Sequence, residues 1–443
     1  MSGRLSGWTI ERASASGLGG VEHGALVEID GSGPALVTAL LADRVELAPL
    51  APRTPRLGAE VRACGPLTTP AGEHLIGRIV DCLGRALDGG PEVARDHVAP
   101  IFGREPVVYD RGTRRVTLGA LVYDLQHRIR SGMSLLATGP REVLRHVLRH
   151  QVSAGRLVVV ATPAATSAAH LAALRAPRRP AFVLDPPEEP VRCIHVAAPL
   201  EATPAQQWLV PWTAMAIASS LRARGGDVVV AIDHLDAWKA HATTFAARGS
   251  WATQLAQLAS CAYSRPTGSV TLIAMTSELS ATRVSAFDAV LDLSIAVRGE
   301  IPLIRTKAML ARICALSVNR LSRICHLSWQ LANFEQHGSP YERLDDQRRR
   351  EIEEALRQRA CLRFRLGGTI DSLEQELGLL AIAALPAVPL HAVGTFIEAY
   401  LARLRRDHAV VLAAILAAGR LDVDNERALL EIAAQVATSF VAP

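Results

Sequence analysis

Residues Gly139 to His146 read GPREVLRH, after an apolar run and ahead of a segment with helical spacing. A strand, a glycine turn and a helix in that order make the setting of a phosphate-binding loop. The helix N-terminus offers free N–H groups and the positive end of its dipole to an anion. The working pattern is G-x-x-x-x-G-K-[ST]: glycines admit the phosphates, the lysine meets their charge and the hydroxyl ligates Mg²⁺. Only Gly139 keeps its part. Leu144 stands at the second glycine, Arg145 at the lysine and His146 at the hydroxyl. The chain has two lysines, Lys239 and Lys307, and neither follows a glycine loop. Gly139, Arg141, Arg145 and His146 are therefore candidate nucleotide-contact positions that have lost most of the chemistry.

Two further residues could serve a phosphate. Asp233 closes the apolar run Val228 to Ile232, where a Walker-B acid would hold Mg²⁺ through water. The plainer reading is a strand-end aspartate that caps the next turn. Arg320, in ALSVNRLSR after the last strand of the α/β region, could neutralise charge on a phosphoryl group in a neighbouring subunit. Taken alone it is a surface arginine. His74, His97, His127 and His146 lack ligand spacing, and no Ser/His/Asp or Cys/His motif surrounds a nucleophile.

The elements that must position these residues can be read from periodicity. Residues 1 to 94 carry short apolar runs such as ALVEI (Ala25 to Ile29) and ALVTAL (Ala35 to Leu40), broken by Asp-Gly and Gly-Pro turns. This predicts a small β-barrel, with the strand in His74 to Asp81 at its closing edge. Residues 95 to 328 alternate strands and helices. Strands are expected at Leu135 to Ala137, Arg156 to Ala161, Pro180 to Leu184, Val228 to Asp233 and Ser269 to Ala274, with a helix over Ala205 to Arg224. That pattern predicts a mostly parallel sheet covered on both faces. Residues 329 to 443 read as helical: Arg343 to Ala360, Pro389 to Leu404 and His408 to Leu416, the last capped by Gly419.

Composition narrows the class. The chain is 443 residues long and half hydrophobic, with only 4% aromatics, which suits a packed, helix-rich α/β protein and excludes disorder. Net charge is +5. The Arg348–Arg349–Arg350 cluster reads as a solvated helix face rather than a nucleic-acid surface. Seven cysteines without a C-x-x-C pair read as reduced thiols, mostly in the core, and no metal site is expected. Met1 to Gly20 lacks the apolar core of a signal peptide, and the apolar stretch Leu377 to Leu385 is too short to span a bilayer. The expectation is a soluble, cytoplasmic protein.

Taken together the segments resemble the alpha subunit of rotary F-type ATP synthases, in order along nearly the whole chain. LIGRIVDCLGRALDGG (Leu75 to Gly90) looks like the end of that family's barrel. Gly119 and Asp124 fall where the family has T-G-x-x-x-x-D ahead of its phosphate loop. WLVPWTAMAIASSLRARGGDVVVAIDHLD resembles the helix and Walker-B strand, and GSVTLIAMT with Val284-Ser285-Ala286 the next strand and its loop. ALSVNRLSR looks like the S-V-S-R segment, WQLANFEQHGS resembles the segment that follows it, and FIEAYLARLRRDHAVVLAAILAAGRLD is similar to the last helices.

The resemblance implies a multidomain fold: an N-terminal β-barrel (1–94), a central RecA-like nucleotide-binding-type domain (95–328) and a C-terminal helical domain (329–443). It implies a non-catalytic subunit that alternates with beta subunits around a gamma-type central shaft. Arg320 would be the arginine finger given to the beta site, preceded by Ser317 and Val318, and Asp233 the Walker-B position. Mg-ATP or Mg-ADP is the family's ligand at Gly139 to His146, and the lost residues imply weak or no binding here. The complex would couple to proton or sodium transport, with this chain peripheral on the cytoplasmic face of the bacterial inner membrane. It would meet the membrane only through the rest of the complex. The sequence starts almost at the barrel, and the expectation is that the helical extension that docks the family's peripheral stalk is absent. A pseudo-enzyme paralogue that assembles a ring without supporting catalysis is the alternative. A nucleic-acid or export motor would have to hydrolyse ATP itself, which the altered loop opposes.

Overall fold

The computed structural model describes residues 2–9, 11–102, 112, 114–119, 129–166, 193–245, 250–295, 318–337, 344–362, 372–418 and 421–440. They form two compact units. One comprises Met1–Arg115, Arg130–Arg141 and Gln151–Leu291, the other Val116–Ile129, Glu142–His150 and Asp292–Pro443.

The first unit begins with a closed barrel. Its strands are β1 (Ser2–Trp8), β2 (Ala13–Ser16), β3 (Ala25–Ile29), β4 (Gly33–Leu40), β5 (Val45–Pro49) and β6 (Glu60–Pro66), in the order β1-β2-β5-β4-β3-β6. Alternation sets the inside: Ala25, Val27 and Ile29 are buried while Glu28 is exposed. They meet Leu5, Val37, Leu47 and Val61 in one cluster. Gly31, at φ 71°, makes the turn between β3 and β4 that a Cβ would strain. β6 closes the barrel by pairing with both β1 and β3.

The closing strand is therefore not the one in His74 to Asp81, as the apolar run there had suggested. β7 (Thr68–Pro70), β8 (Ile79–Val80) and β9 (Val98–Pro100) follow, with β7 on β9. β8 instead adds a parallel edge strand to the larger sheet, through His195↔Ile79 and Val196↔Val80. A run of two strand residues carries too little periodicity to announce which sheet it joins. Arg78 and Asp88 lock the turn behind it, with Arg78 Nε donating to Asp88 at 2.5 Å and the Ile79 N–H at 3.3 Å. Hydrogen bonding to Arg78 holds the Asp88 carboxyl down at about 2.

The larger sheet contains β10 (Ser134–Thr138), β11 (Leu157–Thr166), β12 (Cys193–Pro199), β13 (Asp227–Ile232), β14 (Tyr263–Arg265), β15 (Gly268–Met275) and β16 (Ala289–Asp292). The order is β16-β10-β15-β13-β11-β12-β8, with β14 antiparallel on β15. The ladders joining β10, β15, β13, β11, β12 and β8 are all parallel, and the arrangement is RecA-like. The expected strand over Pro180 to Leu184 lies outside the described residues. So do Asp124, Ser317 and the Gly419 cap.

α1 (Arg141–Ser153) leaves β10, and its stretch Glu142–His150 belongs to the second unit; the first unit carries α2 (Pro204–Ala223), α3 (Leu235–Thr244), α4 (Trp251–Ser260) and α5 (Ala281–Ala286). α2 is apolar nearly all round and nearly wholly buried, as a helix between layers must be. Thr203 and Gln206 form a capping box at its start, Gln206 N–H to Thr203 Oγ1 at 3.2 Å and Thr203 N–H to Gln206 Oε1 at 2.9 Å. Trp208, Trp212, Trp238 and Trp251 gather with Phe102 and Phe245, ring centroids 5.1 to 6.0 Å apart. Trp208 Nε1 donates to Gln254 and Trp238 Nε1 to the Trp208 carbonyl. Few aromatics thus do concentrated work in one core.

The second unit carries α6 (Val318–His337), α7 (Asp346–Leu362), α8 (Ser372–Ala384), α9 (Val393–Asp407), α10 (Ala409–Ala418) and α11 (Val423–Ala437). Their core includes Leu377, Phe396, Tyr400 and Leu429, each fully buried. No described helix is long and apolar enough to cross a membrane. Of the described cysteines, Cys82, Cys193 and Cys361 lie in the core, Cys64 is exposed and Cys261 and Cys325 are half-buried.

Trp238 has no exposed surface and both its ring and its indole N–H are engaged. Trp238→Ala is expected to cost about 3–5 kcal/mol of stability, read as an earlier urea midpoint.

Candidate functional site

β10 is driven into the sheet by Leu135, Leu136 and Ala137, none of them exposed. Only Gly139 and Pro140 separate its end from the first residue of α1. Gly139 takes φ 109°, open to glycine and strained for other residues. Arg141 and Glu142 are exposed in the first helical turn, and Val143 and Leu144 are buried at 0% and 3% exposure. Six of the eight motif positions, Arg141 to His146, therefore lie inside the helix rather than in a loop ahead of it.

This geometry does not fit a nucleoside triphosphate with Mg²⁺. A phosphate loop wraps successive N–H groups around the anion, whereas a helix leaves only its first four N–H groups unbonded. At this end the first turn also carries the Glu142 carboxylate, which already complements the dipole. Leu144 is committed to a buried contact.

His146 illustrates the change. Its Nε2 donates to the Gly119 carbonyl at 2.8 Å. The ring, 9% exposed, serves as a structural donor at the position where a Mg²⁺-binding hydroxyl would stand. Gly119 takes φ 77°, and a Cβ there would lie 2.4 Å from the His150 ring. The His150 Nε2 in turn pairs with Thr117 Oγ1 at 2.8 Å.

Asp233 follows directly on β13. β15 lies between β10 and β13, so Gly139 and Asp233 end their strands at the same edge, one strand apart. Ligands of open α/β sheets bind along that edge. The Asp233 N–H donates to the Ala161 carbonyl at 3.1 Å, and its carboxylate accepts from Thr162 Oγ1 at 2.9 Å. The acid thus ties β13 to β11; the next helix is capped by the His234 side chain, which accepts from the Ala237 N–H.

The residues that dominate this edge were not singled out by sequence. Asp236, in the first turn of α3, accepts from the Ser277 N–H at 2.8 Å and the Ser277 hydroxyl at 2.9 Å, and pairs with Arg283 Nη2 at 2.8 Å. Arg283 is 2% exposed. It also donates to Thr276 Oγ1 and, at 2.6 Å, to the Glu278 carbonyl. Burial pushes the Asp236 pKa up, but the Ser277 donors, Arg283 and Thr276 outweigh it and hold the carboxyl below its ordinary value. The edge thus has a cation and an anion of its own. The one available signal was the second acid in IDHLD, one turn after Asp233.

Arg320 lies in the first turn of α6; its side chain is outside the described residues. Among the described residues no cluster of His, Cys, Asp and Glu could hold a metal.

No family model matches the chain. The chain is 30% identical over 244 residues to the ATP synthase subunit alpha 2 of Cereibacter sphaeroides, covering 53% of this chain and 48% of that protein. It is 30% identical over 184 residues to the ATP synthase subunit alpha 2 of Burkholderia pseudomallei, covering 40% and 27%. The chain is similar to ATP synthase alpha subunits, as a divergent relative. It spans about half or less of the length of the curated relatives it matches.

The Asp236 contacts carry a test. Asp236→Asn is expected to destabilise the chain at pH 7 by on the order of 3 kcal/mol, because Arg283 stays buried without its anion. A carboxyl whose folded pKa is depressed contributes fully above its unfolded value of about 4. The gap between wild type and variant should therefore close as pH falls through the folded pKa. Urea midpoints from pH 7 down to pH 3 measure it, and a constant gap would contradict the assignment.

Proposed function

We propose that this chain is a non-catalytic, alpha-type subunit of a rotary F-type ATP synthase or ATPase. It would alternate with beta subunits around a gamma-type shaft, with domains at 1–94, 95–328 and 329–443. The strongest support is the order of elements: a six-stranded barrel, a RecA-like sheet running β12-β11-β13-β15-β10, then helices. That order occurs in a chain similar to proteins named ATP synthase subunit alpha 2.

In this reading Arg320 is the catalytic contribution. It reaches the beta site of a neighbour and neutralises charge on the phosphoryl group as the transition state forms. The chain's own position, Gly139 to His146 with Asp233, binds Mg-ATP or Mg-ADP weakly or not at all. The start of α1 at Arg141 and the Asp236–Arg283 pair support that. Coupling to proton or sodium flow, and peripheral placement on the cytoplasmic face of the inner membrane, come through the rest of the complex. No nucleic acid is involved.

The closed edge also suits the second reading, a pseudo-enzyme paralogue that assembles a ring without supporting catalysis. Arg320, kept within Ser317-Val318-Asn319-Arg320, favours the first.

Steady-state ATPase activity of the complex co-purified with its beta and shaft subunits separates the two. Arg320→Ala should lower turnover by about 10³ to 10⁵; equal activity would reduce Arg320 to a surface residue and leave the pseudo-enzyme. Mg-ATP titrated into the isolated chain should show no saturation in the micromolar range. A low-micromolar or tighter affinity would overturn the reading of a lost site.

A further inference from the structure

The helical unit contains a cavity of about 460 Å³ between α6, α7 and α8. That is within the size range of small-molecule sites. Ile324, Leu379, Leu380 and Ile382 supply an apolar wall, while Arg350 and Gln358 supply polar groups. Its charges are not equivalent. Arg323 is spent on Glu354, its Nε and Nη2 donating at 3.0 and 2.6 Å. Arg357 donates to the Pro386 carbonyl at 2.6 Å. Glu353, the other acid of the lining, also has a partner. Arg350 is exposed and has no partner among the described residues. It is the uncommitted cation of this wall.

Gln358 is the complement. Its side chain lines the same cavity and is 5% exposed, and its Oε1 finds no hydrogen-bond donor among the described residues. A buried carbonyl without a donor is costly to leave so. It favours a ligand that brings a hydroxyl or an N–H. An apolar wall, one free guanidinium and one unserved acceptor together describe a particular kind of molecule.

We infer that this cavity binds a small amphipathic carboxylate with a hydroxyl donor. Its apolar body lies on Leu379, Leu380 and Ile382, its carboxylate meets Arg350 and its hydroxyl serves Gln358. The site is built within the helical unit and is independent of the altered phosphate loop. It requires no ring partner, so it can be tested whether or not the ring-subunit reading holds.

Calorimetric titration of the full chain provides the test, with 3-hydroxydecanoate, decanoate and decylammonium as probes, each below its micelle concentration. The hydroxy acid should bind saturably and one to one, decanoate about tenfold more weakly, and decylammonium not measurably. Arg350→Glu, an exposed change, should weaken both acids by about tenfold or more. Ala383→Phe, placed at the exposed rim, should exclude them by filling the cavity. Gln358→Leu should erase the preference for the hydroxy acid. Circular dichroism matching wild type shows that the variants fold. Absence of saturable binding, equal binding of decylammonium, or full affinity in both Arg350→Glu and Ala383→Phe would each overturn the assignment.

Discussion

A parallel sheet covered on both faces has one place where polar groups stay open, the edge at which its strands end. In a nucleotide-binding protein the phosphates and their metal satisfy that edge. Here side chains of the first unit also pair with one another there. Asp236 and the buried guanidinium of Arg283 neutralise one another, Thr276 and Ser277 fill the carboxylate's remaining acceptor sites, and Thr162 serves Asp233. A buried charge left alone would be costly, so Arg283 and Asp236 depend on each other. The strand order around them follows the RecA-like pattern.

The same logic reaches α1. Val143, Leu144, Val147 and Leu148 are all buried, and their spacing winds the helix back to Arg141. Apolar burial contributes per unit of area, whereas a phosphate cradle contributes only when an anion is present. Once leucine replaces glycine at position 144, helix is the favoured state of the segment. His146 then turns its N–H to the Gly119 carbonyl.

Much of this was legible beforehand. The β10 strand, α1 and the β13 strand followed by Asp233 appear where periodicity put them, because long apolar runs and 3.6-residue spacing are strong signals. The loss of lysine, glycine and hydroxyl could be read directly. What failed was the strand at Ile79–Val80, assigned to the barrel from nearness in sequence. It pairs with β12, more than a hundred residues away by number. The ion pair of Asp236 with Arg283 was likewise invisible, since its partners come from two short helices, α3 and α5, that only the sheet brings together.

Sequence alone therefore determined the element types, their order and the identity of the residues missing from the phosphate loop, since these depend on local spacing and side-chain chemistry. Tertiary structure decided which strand closes the barrel and which groups pair at the sheet edge. It also decided that Arg350 and Gln358 line one cavity. Each of these rests on contacts between distant segments, and no local pattern encodes which distant group will arrive.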